Sequence, residues 1–126
     1  MDYKKLMIES LSSMLEEGET LRSPFYGSLI KGELAYFGFF GLTETALLVA
    51  ILGRGTEEIS SYNRIPLNIE KVRIKKKILP TRYTVSIFTK ENTFCQLQAF
   101  KKVVRINCQT ESVHGFIQYL NSFPSA

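Results

Sequence analysis

From Leu34 to Leu52 the chain runs nineteen residues with a single charge, Glu44, and that stretch constrains everything around it. It is long enough to cross a bilayer as a helix. Thr43-Glu44-Thr45 lies at its centre, however, and Gly38 and Gly41 interrupt it. A glutamate at mid-bilayer is costly, so the stretch reads as two strands and a turn. Alternation then sends Tyr36 and Phe40 to one side and Phe37 and Phe39 to the other. In the next strand Ala46, Leu48, Ala50 and Leu52 oppose Leu47, Val49 and Ile51. Both faces of this hairpin are apolar, whereas a strand needs only one buried face. The second face carries two aromatics of about 150–250 Å² each. With three or four aliphatics it exceeds the roughly 300–600 Å² patch that a monomer tolerates. Something must cover Tyr36, Phe37, Phe39, Phe40, Leu47, Leu48, Val49 and Ile51, the candidate protein-contact or helix-covered set.

Two covers suggest themselves, an amino-terminal helix and a second copy of the chain. Asp2 can cap a helix in which Tyr3, Leu6, Met7, Leu11, Met14 and Leu15 recur at three- and four-residue spacing, with Gly18 as its stop. Ser23-Pro24 then breaks the chain. Strands are expected near 25–31, 34–41, 46–52, 57–65, 69–77, 82–88 and 93–100. Turns at Lys31-Gly32, Thr43-Glu44, Gly53-Arg54-Gly55, Leu79-Pro80-Thr81 and Lys90-Glu91-Asn92 separate them. A closing helix over 110–123 takes Thr110 as its cap, Glu111 in its first turn and Pro124 as its end. Val113, Phe116, Ile117 and Leu120 form its apolar stripe. With 126 residues and no long linker or repeat, the chain reads as one domain over 1–126. The two cysteines are too few for a disulfide framework.

Charge is divided along the chain. Residues 1–62 hold five basic and nine acidic side chains, and residues 63–126 hold eleven basic and three acidic. Such a division suits an anionic partner, two faces of one domain, or head-to-tail assembly. The N-terminal residues lack the continuous apolar stretch of a signal peptide, so a cytoplasmic location with reduced Cys95 and Cys108 is expected.

Consecutive short antiparallel strands closed by one amphipathic helix resemble the pleckstrin-homology-like domains, and in particular their bacterial members. The resemblance rests on Gly38-Phe39-Phe40-Gly41-Leu42-Thr43 followed by Leu47-Leu48-Val49-Ala50. It continues through Ile65-Pro66-Leu67 into Ile69-Glu70-Lys71-Val72-Arg73-Ile74, then Tyr83-Thr84-Val85-Ser86-Ile87, and ends with Gln109 to Leu120. It covers about residues 25–122. What it implies is a bent antiparallel barrel of about seven strands, a C-terminal helix plugging one end, and an N-terminal helix added outside that core.

Lys71, Arg73, Lys75, Lys76, Lys77 and Arg82 form the densest charge cluster, with Glu70 the one acid among them. Alternation places Lys71, Arg73, Lys75 and Lys77 on one strand face and the hairpin brings Arg82 near. This face could meet an anionic membrane at about 1 kcal/mol per basic group. The plainer reading is a solvated face whose lysines discourage edge pairing. Phosphoinositide-binding members of the resembled family place several bases on their first hairpin. This chain has Lys31-Gly32-Glu33 there, so that specificity does not carry over. Nucleic acid is argued against because the aromatics Phe25, Tyr26, Tyr36, Phe37, Phe39 and Phe40 lie away from the bases. His114 stands without neighbouring metal ligands or acid–base partners, and Cys95 alternates with Leu97 and Ala99 as a buried thiol does. Gly53-Arg54-Gly55-Thr56 lacks phosphate-loop spacing, and no catalytic signature occurs. The expectation is a non-enzymatic binding or assembly module without cofactor or metal, acting through protein contacts or homo-oligomerisation. The alternative is peripheral attachment to an anionic membrane through hairpin 71–82.

Overall fold

A computed structural model describes residues 2–55, 57–78 and 81–126. Its order is α1 (Tyr3–Ser12), β1 (Arg22–Lys31), β2 (Leu34–Leu42), β3 (Ala46–Leu52), β4 (Ile59–Pro66), β5 (Ile69–Ile78), β6 (Thr81–Thr89), β7 (Phe94–Phe100) and α2 (Gln109–Leu120). All strand pairs are antiparallel, and the sheet order is β4-β3-β2-β1-β7-β6-β5, which leaves β4 and β5 as edges. The doubly apolar stretch is the β2–β3 hairpin, with exposed Glu44 in its turn. The turn expected at Leu79-Pro80 lies outside the described residues, as does Thr56.

The sheet has a core on each side. On one side Phe25, Phe40, Leu47, Val49, Val85 and Leu97 pack against Val113, Phe116 and Leu120 of α2. Phe116 tilts against Phe25 at 4.7 Å between ring centres, and Phe25 stacks on Phe40 at 5.2 Å. On the other side Met7 and Leu11 of α1 pack against Phe39, Leu48 and Ala50. Burial on both faces explains why β3 carries no polar residue over Ala46–Leu52.

Both helices differ in extent from the sequence expectation. Asp2 does cap α1, its carboxylate accepting from the Lys5 N–H at 3.0 Å. The helix stops at Ser12 rather than near Gly18, because the Ser10 and Ser13 hydroxyls bond back to the Leu6 and Ser10 carbonyls and the final turns tighten. Met14 and Leu15 still pack on the second core from that tightened segment. At the other end Thr110 is not the cap: α2 starts at Gln109 behind Cys108, and the Thr110 hydroxyl donates to the Lys101 carbonyl at 2.7 Å. The helix ends at Leu120, ahead of Pro124.

Two features join the halves of the sheet. Gly27 and Gly38 face each other across β1 and β2. A Cβ on Gly27 would lie 2.1 Å from the Gln98 carbonyl oxygen, and one on Gly38 would lie 2.2 Å from that of Ala50. Only glycine permits such close passage of backbones. Gln109 is buried where the β1–β7 ladder runs out. Its amide nitrogen donates to the Tyr26 and Phe100 carbonyls at 2.7 and 2.8 Å, and its oxygen accepts from the Tyr26 N–H at 2.8 Å. At the far edge the Val72 N–H donates to the Pro124 carbonyl and the Ala126 N–H to the Val72 carbonyl, so the tail adds one parallel bridge to β5.

Candidate functional site

α1 covers the β2–β3 hairpin unevenly. β3 pairs with β2 only opposite Gly38–Leu42, so Leu34–Phe37 of β2 extends past the end of β3. Phe39 and Leu48 are sealed beneath α1, and Phe40, Leu47, Val49 and Ile51 are sealed beneath α2's side of the sheet. Beyond that cover Leu34, Tyr36 and Phe37 remain 53%, 39% and 45% exposed. The candidate contact set therefore divides, six residues in the two cores and Tyr36 and Phe37 at the surface.

Those surface residues open on a cleft of about 930 Å³. Leu34–Phe37, Leu52 to Gly55, Tyr3 and the segment Val103–Ile106 line it. Phe37, Tyr26 and Phe100 form a ring cluster with centres 6.1–6.4 Å apart. Such rings bury apolar area in near-fixed orientation. Burial and the nearby Tyr3 raise the Tyr26 phenol above its ordinary value, which keeps it neutral. Arg105 stands over the Tyr3 ring at 5.2 Å, and the Tyr3 hydroxyl donates to Glu57 at 3.2 Å. Val104 is 95% exposed.

The basic cluster sits elsewhere, on the β5 edge. Lys71, Arg73, Lys75 and Lys77 lie opposite Phe88, Ser86, Thr84 and Arg82 and share one face. Lys76 lies opposite Tyr83 on the reverse face, its amine 5.9 Å from that ring. Lys71 stands over Phe88 at 5.4 Å. Among the described residues the ion pairs are Lys5–Glu9 and Arg64 with Glu16 and Glu19, so none of the six cluster residues is neutralised by a carboxylate. β7 and β1 separate this face from the cleft.

Tyr26 apart, the shifted titratable groups lie away from the cleft. The Glu19 carboxyl is held at about 2, first by the Glu16 N–H, then by the Thr45 hydroxyl, Arg64 and Thr43. Glu44 is lowered by the hydroxyl and N–H of Thr20, which ties the β2–β3 turn to the chain entering β1. Burial pushes the Cys95 thiol up to about 11, so it is a thiol at neutral pH. His114 is exposed on α2. Among the described residues no group of three His, Cys, Asp or Glu side chains could hold a metal, and no helix is long and apolar enough to cross a membrane.

The sequence reading missed Arg54, Arg105 and the Val103–Ile106 wall. One signal was available: Val103-Val104 is an apolar pair set between Lys101-Lys102 and Arg105, beyond the last strand.

No family model matches the sequence, and no curated protein does. Solved structures do resemble it. The hSac2 domain of the human phosphoinositide phosphatase Sac2 superposes with a TM-score of 0.60 at 14% identity, over 92% of this chain and 76% of that one. The C-terminal domain of an unknown protein from Leishmania infantum gives 0.60 at 15%, over 93% and 96%. A PH domain within OCRL gives 0.55 at 19%, over 95% and 80%. At such identities the likeness establishes the fold, which is pleckstrin-homology-like: seven antiparallel strands in an open sheet, a C-terminal helix and an added N-terminal helix.

Proposed function

We propose that residues 1–126 are one domain, akin to the bacterial pleckstrin-homology-like domains its sequence resembles, and that it works as a non-catalytic binding module through protein contacts. The observation that carries this reading is the uncovered end of the β1–β2 hairpin, where Tyr36 and Phe37 face a cleft of about 930 Å³. Clustered exposed aromatics at the mouth of a concave surface are the composition of binding hot spots. The perturbed groups support the non-catalytic part: Glu19 and Glu44 hold loops, and Cys95 is protonated. Free Cys95 and Cys108 suit a reducing, cytoplasmic setting. A connecting role on this fold has a parallel in the OCRL domain, described as bridging clathrin-mediated membrane trafficking to phosphoinositide metabolism.

The test is a photoreactive phenylalanine analogue placed at Phe37 and, as control, at Thr84 on β6. Illumination in cells gives a covalent adduct to protein, a second copy of the chain included, from position 37 and none from position 84. No protein adduct at 37, or equal adducts at both positions, contradicts the reading.

A second reading is favoured by the un-neutralised face of Lys71, Arg73, Lys75 and Lys77, with Arg82 beside it. This is attachment to an anionic membrane. It requires sedimentation with phosphatidylserine vesicles that grows with acidic lipid, disappears in high salt and is abolished by Lys75→Glu with Lys77→Glu. Sedimentation indifferent to that double change removes it.

A further inference from the structure

The backbone of the cleft wall specifies what kind of partner segment fits. Leu34–Phe37 pairs with β1 on one side only, since the β2–β3 register begins at Gly38. The position in line with β3 is vacated because β3 ends at Leu52, where its register with β4 shifts, and the chain turns away through Gly53–Gly55. A short strand edge thus lies open inside an apolar cleft rather than on an open surface, flanked by the Phe37–Tyr26–Phe100 rings. An open edge accepts an added strand through main-chain hydrogen bonds, with alternate side chains entering pockets.

The charges at the same place set its sign. Arg54 and Arg105 line the cleft and are exposed, and Lys101-Lys102 precede the Val103–Ile106 wall. No carboxylate lines it among the described residues; Glu57, which accepts the Tyr3 hydroxyl, is outside the lining. Rim charges of one sign select partners of the other.

We propose that the cleft takes an extended acidic segment of a partner protein, which adds as a short strand to Leu34–Phe37 and seats an apolar side chain against Phe37 and Tyr26, with its carboxylates toward Arg54 and Arg105. This rests on the protein-contact reading of the same cleft and narrows it. A single-chain lipid fills the apolar volume equally well but has no main chain to complete the edge.

The test uses the full chain and fluorescein-labelled eight-residue peptides, followed by anisotropy. One alternates glutamate with leucine and phenylalanine, a second replaces glutamate by lysine, and a third is the glutamate peptide N-methylated along one edge. The glutamate peptide binds at least tenfold tighter than the lysine peptide, and methylation weakens it at least tenfold. Arg54→Glu with Arg105→Glu, both exposed positions, inverts the charge preference while the circular dichroism spectrum is unchanged. Equal affinities for the two charges, binding indifferent to methylation, or dodecanoate binding where no peptide binds each overturns the inference. Crosslinking from Phe37 to a protein, with no charge preference among the peptides, removes the acidic strand and leaves the protein-contact reading standing. Loss of both removes both.

Discussion

β3 and β5 belong to one sheet and have opposite surroundings. β3 is buried on both faces, from Ala46 to Ile51, between α2's core and α1's core. β5 buries only Ile69 and Val72 and turns Lys71, Arg73, Lys75 and Lys77 to solvent at an edge. The difference teaches that α1 is what the first half of the sheet requires. Without it, Phe39, Leu48 and Ala50 would form the exposed apolar patch that a lone domain avoids. It also shows where α1 stops covering, at the Tyr36–Phe37 end that β3 does not reach.

The contrast can be broken from its buried side first. Phe39→Ala removes a fully buried ring between β2 and α1 and is expected to cost about 3–5 kcal/mol. Phe37→Ala, two residues along the same strand but 45% exposed, is expected to cost about 1 kcal/mol. Urea titration of both variants checks the pair, and equal losses would mean that α1 does not seal one end preferentially. The joints come next. Gly38→Ala drives a methyl group into the Ala50 carbonyl and is expected to cost about 1–3 kcal/mol. Gln109→Leu strands two carbonyls and an N–H between β1 and β7, at about 1–3 kcal/mol for each group that water does not reach, by the same measurement.

A pH experiment separates the halves more finely. Glu19 bonds Thr43 and Thr45 at the β2–β3 turn and pairs with Arg64 of β4, and its carboxyl is held at about 2 against an ordinary 4.5. A lowered folded-state value stabilises the fold fully above about 4.5, and that stabilisation is lost as pH falls toward 2. Melting temperature between pH 5 and 2.5 should therefore fall more steeply for the natural chain than for Glu19→Gln. Parallel curves would show that the network contributes nothing. The smallest effect belongs to the basic edge, where Lys75→Ala should change stability by no more than about 0.5 kcal/mol in the same titration.

Strand order was legible because alternation is a local property: the parity of Lys71, Val72, Arg73 and Ile74 already sorts them onto two faces. The same parity separates Lys76 from its neighbours, although sequence proximity grouped it with them. The excess of apolar area on 34–52 was legible as a need for cover, since area can be counted without coordinates. Where that cover ends was not legible. It depends on the β2–β3 register and on which loop lies opposite, and both are set by contacts far apart in sequence. Arg54 and Arg105 reach one cleft from fifty-one residues apart along the chain. Gln109 was hidden for the same reason: its amide completes a ladder between Tyr26 and Phe100, which nothing at position 109 announces. The end of α1 turned on the Ser10 and Ser13 hydroxyls, which compete with the helix although the apolar spacing continues to Leu15.

Residue-resolved hydrogen exchange on the free chain tests the uneven cover most directly. β3 is bonded on both sides, so every amide from Leu47 to Ala50 should exchange only through global unfolding. Within Leu34–Phe37, amides turned toward β1 should be slow and those turned to the cleft faster by orders of magnitude. Uniformly slow exchange through Leu34–Phe37 would mean that this edge is already filled, and the contact surface argued for it would not exist.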